Sequence, residues 1–219
     1  MLRRPNPYEI VLLAALLAGT SYLAADSLTL PQLTAVIWKG AGVGLLAVYA
    51  ALKARDRDGW LITVVMAFGT LGDVLIETNG LIPGAMAFLA GHLCAIALYW
   101  RNRRPNPGSS QRVLAGLMIP AIAVTAYMLP ADASSAVGIA VYSCGLALMA
   151  STAWLSRFSR LEVGRGALMF VASDLLIFAR SGPLANAPWI SLAIWVLYFF
   201  GQVLICTGVT KSLAATQAA

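Results

Sequence analysis

The chain has little charge and almost no histidine. Of its 219 residues, 11% are charged and 60% are hydrophobic, and the mean hydropathy is +0.80. A soluble domain carries about 25% charged residues. Fifteen basic and nine acidic side chains cannot cover a water-exposed surface of this length. A soluble enzyme, a nucleic-acid binder and a secreted disulfide scaffold are excluded on that ground. The single histidine, His92, excludes a multi-histidine zinc site. Cys94, Cys144 and Cys206 lie in apolar runs without a CxxC pair and read as small buried hydrophobes. The sequence also lacks a phosphate-cradling glycine loop and a GxSxG nucleophile elbow. Neither a cofactor nor a metal is expected.

What the chain has in quantity is apolar runs. A membrane-spanning helix needs about 20 mainly apolar residues. Eight runs qualify, at about 8–25, 32–52, 60–77, 82–100, 113–130, 134–155, 163–179 and 187–209. The separators are short and polar or rich in proline and glycine, too short to hold a soluble domain. The expected fold is therefore all-α: a polytopic membrane protein of eight transmembrane helices forming one domain over 1–219. The first run follows Arg3 and Arg4 as a secretory signal would. It lacks a small residue three positions before the candidate cleavage site near Ala24-Ala25, so a retained first helix is expected.

Charge sets the orientation. Arg3, Arg4, Lys53, Arg55 and Arg57 flank the first two runs on one side. Arg101, Arg103, Arg104, Arg112, Arg157, Arg160, Arg165 and Lys211 fall on that same side. The opposite loops carry only Arg180, and Lys39 lies within the second run. This asymmetry predicts both termini in the cytoplasm of a multi-pass cell (inner) membrane protein. It also explains the net charge of +6 without nucleic acid, since basic loops face anionic lipid headgroups.

Polar residues inside the runs are the candidate functional groups. Asp73, Asp174, Lys39, His92 and Gln202 interrupt otherwise apolar helices, with Tyr142 at a similar depth. An ionised carboxylate at mid-bilayer costs at least about 2.5–3.5 kcal/mol on insertion scales, so two of them point to function. A structural alternative is an ion pair of Lys39 with one aspartate. Glu77 falls near a helix end and is expected to reach the interface.

The halves share a weak internal repeat. Gly72-Asp73-Val74-Leu75-Ile76 parallels Ser173-Asp174-Leu175-Leu176-Ile177, and Phe88-Leu89-Ala90-Gly91-His92 parallels Tyr198-Phe199-Phe200-Gly201-Gln202. A parallel 4+4 duplication would turn the two aspartates towards each other. Two carboxyl groups sharing a low-dielectric site cannot both ionise easily. One is then a neutral acid and the other a base, which makes a general acid/base pair without a metal.

These stretches resemble the lysoplasmalogenase family of YhhN-like membrane proteins. The resemblance runs through Phe68-Gly69-Thr70-Leu71-Gly72-Asp73-Val74-Leu75, Ala87-Phe88-Leu89-Ala90-Gly91-His92-Leu93, Gly166 to Asp174 and Tyr198 to Ile205. It covers roughly 33–209 in order, spacing and helix count. One departure is Gly40 after Lys39, where the family usually has proline. The resemblance implies hydrolysis of the vinyl ether bond of a lysoplasmalogen, a lysophospholipid of the bilayer, to a fatty aldehyde and a glycerophospho-ethanolamine or -choline. Asp73 and Asp174 would be catalytic, in a division of labour like that of glycoside hydrolases. Lys39, His92, Tyr142, Tyr198, Gln202 and Ser173 would bind substrate or tune the carboxyl groups. No obligate protein partner is expected.

Two rival classes use the same aspartates. Leu71-Gly72-Asp73 resembles the Gly-x-Gly-Asp motif of intramembrane aspartyl proteases, but Thr70 stands where the first glycine would be and Ser173 where a tyrosine would precede the second aspartate. A proton-coupled transporter also employs intramembrane carboxylates and repeats. It would want matching broken helices, and Pro120 has no counterpart in the other half.

Overall fold

The apolar runs form helices with locally encoded ends. The computed structural model describes residues 6–217; Arg3 and Arg4 lie outside them. Its helices are α1 (Pro7–Ser21), α2 (Gln32–Lys53), α3 (Arg57–Asn79), α4 (Leu81–Arg101), α5 (Ser109–Met128), α6 (Ala133–Leu155), α7 (Arg165–Arg180) and α8 (Ile190–Gln217). A 3₁₀ turn, Tyr22–Ser27, prolongs α1, and a π turn, Arg160–Gly164, leads into α7. Among the described residues there is no β-strand, and one isolated antiparallel bridge joins Arg103 and Ser156.

The helix starts carry caps. Pro7 occupies the first turn of α1, where its missing N–H costs nothing. Asp56 Oδ1 accepts from the Gly59 amide at 2.8 Å at the start of α3, and Asp132 Oδ1 accepts from the Ser134 amide at 2.9 Å at the start of α6. Each satisfies an orphan donor of the first turn. The turn from α3 to α4 is made by Gly80 at φ 91°, a conformation that L side chains resist. Pro120 sits inside α5 without ending it.

Seven of the eight helices are long and apolar enough to cross a membrane. The exception is α7, which has 16 residues, short of the ~20 that a span needs. Large apolar side chains stand on the outside, among them Leu33, Ile82, Met86, Met128 and Val141, each more than 60% exposed. In water that surface would aggregate; in lipid it is the solvated one. The cysteines divide in the same way. Cys206 is buried, but Cys94 is only partly so and Cys144 is exposed, which corrects the expectation that all three are core residues. An apolar outside accepts a thiol as readily as the core does. Trp60 and Trp100 are exposed beside the basic loops and Trp189 at the start of α8. These positions suit indoles at the membrane–water interfaces. The chain is an all-α, multi-pass membrane protein.

By packing, the chain divides into two compact units. One comprises Met1–Cys94 with Leu213–Ala219, the other Ala95–Ser212. The divisions fall inside α4 and α8. The first unit is built on α1 to α3 and the start of α4, the second on α5 to α7 with the end of α4 and most of α8.

Candidate functional site

In the first unit, glycines let α4 press on α3 around Asp73. A Cβ on Gly72 would lie 2.7 Å from the Phe88 ring, and one on Gly84 would collide with Ile76 Cγ1 and sit 3.0 Å from the Gly72 carbonyl oxygen. Further along α4, a Cβ on Gly91 would meet Phe68 Cβ at 3.1 Å and the Val65 carbonyl oxygen at 3.6 Å. Asp73 is 2% exposed and His92 4%. On the other side of α3, α2 runs unbroken through Gly40, whose Cβ would be 3.3 Å from Val74 Cγ2. Glycine thus permits here a close approach that keeps the helix straight, where proline would bend it.

Lys39 pairs with Glu77, not with an aspartate: Nζ lies 2.6 Å from Oε1. The ion-pair alternative drawn from the sequence is corrected in its acidic partner. Glu77 follows Asp73 by one helical turn, so both project from the same face of α3. It stands near the end of that helix but still within it, since α3 continues to Asn79. The side chains are 15% and 35% exposed, intermediate between a solvated pair and a buried one. Lys39→Glu alone is expected to destabilise the protein by about 1–3 kcal/mol, between those two limits. Lys39→Glu with Glu77→Lys should recover most of that loss in a thermal melt in detergent. A double variant no more stable than the single one would show that the pair does not brace α2 on α3.

In the second unit α7 and α8 also meet through small residues. Moving 101 residues along the chain carries Val65, Phe68, Gly72, Asp73 and Ile76 of α3 to Gly166, Met169, Ser173, Asp174 and Ile177 of α7. Moving 110 carries Gly84, Phe88, Gly91 and His92 of α4 to Ile194, Tyr198, Gly201 and Gln202 of α8. The contacts follow these two shifts. A Cβ on Gly201 would meet the Gly166 carbonyl oxygen at 2.9 Å and Met169 Cβ at 3.4 Å, as Gly91 meets Val65 and Phe68. Ser173 Oγ donates to the Ile194 carbonyl at 2.9 Å, joining the counterparts of Gly72 and Gly84. Ser173 is thereby engaged in holding α7 on α8. Asp174 is 5% exposed and Gln202 2%.

Asp174 is held by its own partner. Tyr142 of α6 donates from its phenol to Asp174 Oδ2 at 2.6 Å. The same ring meets Phe178 edge-on at 6.1 Å between centroids. Phe178 is one turn beyond Asp174, as Glu77 is one turn beyond Asp73. So α6 grips α7 through Tyr142 where α2 grips α3 through Lys39. Tyr198 packs edge-on against Phe170 at 5.3 Å and beside Trp195 at 5.7 Å, giving α8 an aromatic wall next to Asp174's helix. The sequence singles out Tyr142 and Asp174 but not their direct bond. Phe178 and the pairing role of Glu77 escape it, although the i+4 spacing from each aspartate is an available signal.

Among the described residues no group of three or more His, Cys, Asp or Glu side chains converges in a way that could hold a metal ion. Each unit presents one deeply buried carboxyl group on a helix pair locked by small residues. A buried carboxyl group is chemically able to give or accept a proton.

The sequence pattern of the YhhN family matches residues 34–209. Curated proteins named lysoplasmalogenase, from Mycobacterium bovis and Mycobacterium tuberculosis, are each 29% identical over 230 aligned positions, covering 93% of this chain and 87% of the relative. No solved structure matches it significantly. The matched stretch runs from α2 into α8 and takes in both aspartate-bearing helix pairs, and on that evidence the chain belongs to the YhhN family.

Proposed function

We propose that the chain is a metal-independent intramembrane hydrolase that cleaves the vinyl ether bond of a lysoplasmalogen, with Asp73 and Asp174 as its acid and base. The observation that carries this reading is the recurrence of one buried carboxyl group at the same register of two like-built helix pairs, one of them bonded to Tyr142. The names of the relatives supply the substrate class. Their similarity to this chain is moderate, so the chemistry rests on the residues themselves.

The reaction needs one proton donor and one acceptor. Tyr142 donates to Asp174 Oδ2, which suits an ionised Asp174 acting as the base. Asp73 then gives its proton to the β-carbon of the vinyl ether. The carbon attached to oxygen becomes an oxocarbenium ion, stabilised by the Asp174 carboxylate. Water attacks that carbon as Asp174 takes its proton, giving a hemiacetal. Collapse of the hemiacetal passes the Asp174 proton to the departing glycerol oxygen and returns the hydroxyl proton to Asp73. The products are a fatty aldehyde and glycerophospho-ethanolamine or -choline, with one water consumed. His92 and Gln202, at matching places on α4 and α8, are assigned to the phosphate and glycerol hydroxyls.

The proposed setting is a single membrane domain of eight spans in the cell membrane, with both termini cytoplasmic. In it α7 completes its crossing with the π turn before it. The test is mass spectrometry of the detergent-purified protein incubated with a panel of lysolipids in the presence of EDTA. Fatty aldehyde released from the vinyl ether lipid alone is expected. Loss of that activity in EDTA, restored by a divalent cation, would overturn the metal-free mechanism.

Tyr142→Phe removes the bond to Asp174 but keeps the ring against Phe178. A hydrogen bond to a charged group contributes about 1.5–3 kcal/mol, so turnover should fall about 10- to 100-fold, and the melting temperature should fall by several degrees as well. Unchanged turnover would show that the Tyr142 bond does not prepare Asp174 for the base's role.

A further inference from the structure

The second unit carries an excess of positive charge that its own acids do not balance. Between Ala95 and Ser212 the sequence has nine basic residues and only three acidic ones. Asp132 caps α6 at the end away from the basic loops. Asp174 is bonded to Tyr142 within α7. That leaves Glu162 on the basic side, and it is already paired with Lys211 at 2.7 Å.

Three of the arginines, Arg103, Arg104 and Arg112, line one cavity. The chain after α4 is stapled to the chain after α6: Arg104 N donates to the Leu155 carbonyl at 3.0 Å and Arg157 N to the Asn102 carbonyl at 2.7 Å. Arg104 Nε donates to the Ser156 carbonyl at 2.8 Å. Arg103 lies over the Trp100 ring, 5.6 Å from its centroid. A cavity of about 260 Å³ opens beside this staple, lined by Arg103, Arg104 and Arg112 together with Trp100, Pro107 and Leu155. Arg104 is crowded: burial and then the like charge of Arg160 hold its guanidinium below the ordinary value. Among the described residues, none of these three arginines forms a salt bridge.

We propose that this cavity binds a phosphate-bearing anion, its arginines taking the phosphate and its Trp100, Pro107 and Leu155 wall taking apolar matter attached to it. Guanidinium groups match phosphate oxygens through paired N–H donors, and basic pockets between helices at the membrane surface hold acidic headgroups. The source is either the headgroup of an anionic phospholipid or a free phosphate. This site is separate from the buried aspartates and does not rest on the hydrolase reading.

The full-length protein, reconstituted in phosphatidylcholine doped with phosphatidylglycerol, should retain phosphatidylglycerol when analysed by native mass spectrometry. Arg112→Gln and Arg103→Gln should each reduce that retention about fivefold, the effect of one basic residue near an anionic surface. Arg57→Gln, which removes a charge from the first turn of α3, should leave it unchanged. Both cavity variants spare the Arg104 bonds that staple the loops, and an unchanged thermal melt verifies their folding. In a second arm, binding of inorganic phosphate is measured by equilibrium dialysis in neutral detergent. Saturable phosphate binding lost in the same variants identifies the free anion as sufficient; lipid retention without it identifies the headgroup. Equal behaviour of wild type, Arg103→Gln and Arg112→Gln in both arms, or an equal loss in Arg57→Gln, would overturn the proposal.

Discussion

Asp73→Asn and Asp174→Asn should each lower turnover of a vinyl ether lysolipid by about 10²–10⁴-fold, the usual contribution of a positioned acid or base. Asparagine keeps the shape of the side chain and its hydrogen-bonding reach but cannot give or take the proton. Both carboxyl groups are almost wholly buried, and a neutral amide costs about as much to bury as the protonated Asp73 and less than the ionised Asp174. The variants should therefore fold at least as well as the parent, and the loss should lie in turnover rather than in yield. The double variant should be little worse than either single one, because residues acting as a unit are strongly non-additive. Near-normal turnover in either single variant, or losses that multiply in the double, would show that the two aspartates do not work together.

The second large effect concerns the α7–α8 contact. A Cβ on Gly166 would sit 2.7 Å from the Gly201 carbonyl oxygen, and one on Gly201 would sit 2.9 Å from the Gly166 carbonyl oxygen. Both obstacles are backbone, so an alanine must push α7 and α8 apart. Overpacking of this kind costs about 1–3 kcal/mol. Gly91→Ala in the first unit meets chiefly Phe68 Cβ at 3.1 Å and should cost less. A Cβ added at Gly116 or Gly138 would have nothing within 4 Å, so alanine there should be neutral or stabilising through helix propensity. Melting temperatures of the alanine variants, at one scan rate in one detergent, should fall in the order Gly116, Gly91, Gly201, Gly166. If Gly166→Ala melts with the parent, the close approach of α7 and α8 is not a stability determinant.

Most of the fold was legible because lipid imposes one rule: apolar runs of sufficient length become helices with every backbone group satisfied internally. The limits of those helices were less legible, for local reasons. Hydropathy fades after Val209, yet Lys211, Leu213, Ala214 and Ala215 are good helix formers, and α8 continues to Gln217. At the other extreme, the run beginning near residue 163 opens with a π turn, and its α-helix begins at Arg165. Chemistry-bearing residues stood out because a polar group in an apolar run is costly. Their partners did not, since a hydrogen bond between residues 32 positions apart, such as Tyr142 to Asp174, leaves no local trace. The acidic partner of Lys39 was hidden for a similar reason. Hydropathy marks Glu77 as a group that can reach the interface, and it says nothing of which neighbouring helix carries a cation at that height. Short matched strings around each aspartate carry no information about packing by themselves; in the structure Gly91 meets Val65 and Phe68, and Gly201 meets Gly166 and Met169.

Turnover of a vinyl ether lysolipid in D₂O, read by mass spectrometry of both products, tests the central claim most directly. Proton transfer to the β-carbon must leave a single deuterium on the carbon next to the aldehyde. Parallel turnover in H₂¹⁸O must leave the glycerophospho product unlabelled, because water attacks the alkenyl carbon and the glycerol keeps its own oxygen. The account predicts a deuterated aldehyde and an ¹⁸O-free glycerophospho product from the parent protein, and product formation at least about 10²-fold slower from Asp73→Asn. An aldehyde without deuterium, or a glycerophospho product bearing ¹⁸O, would contradict it.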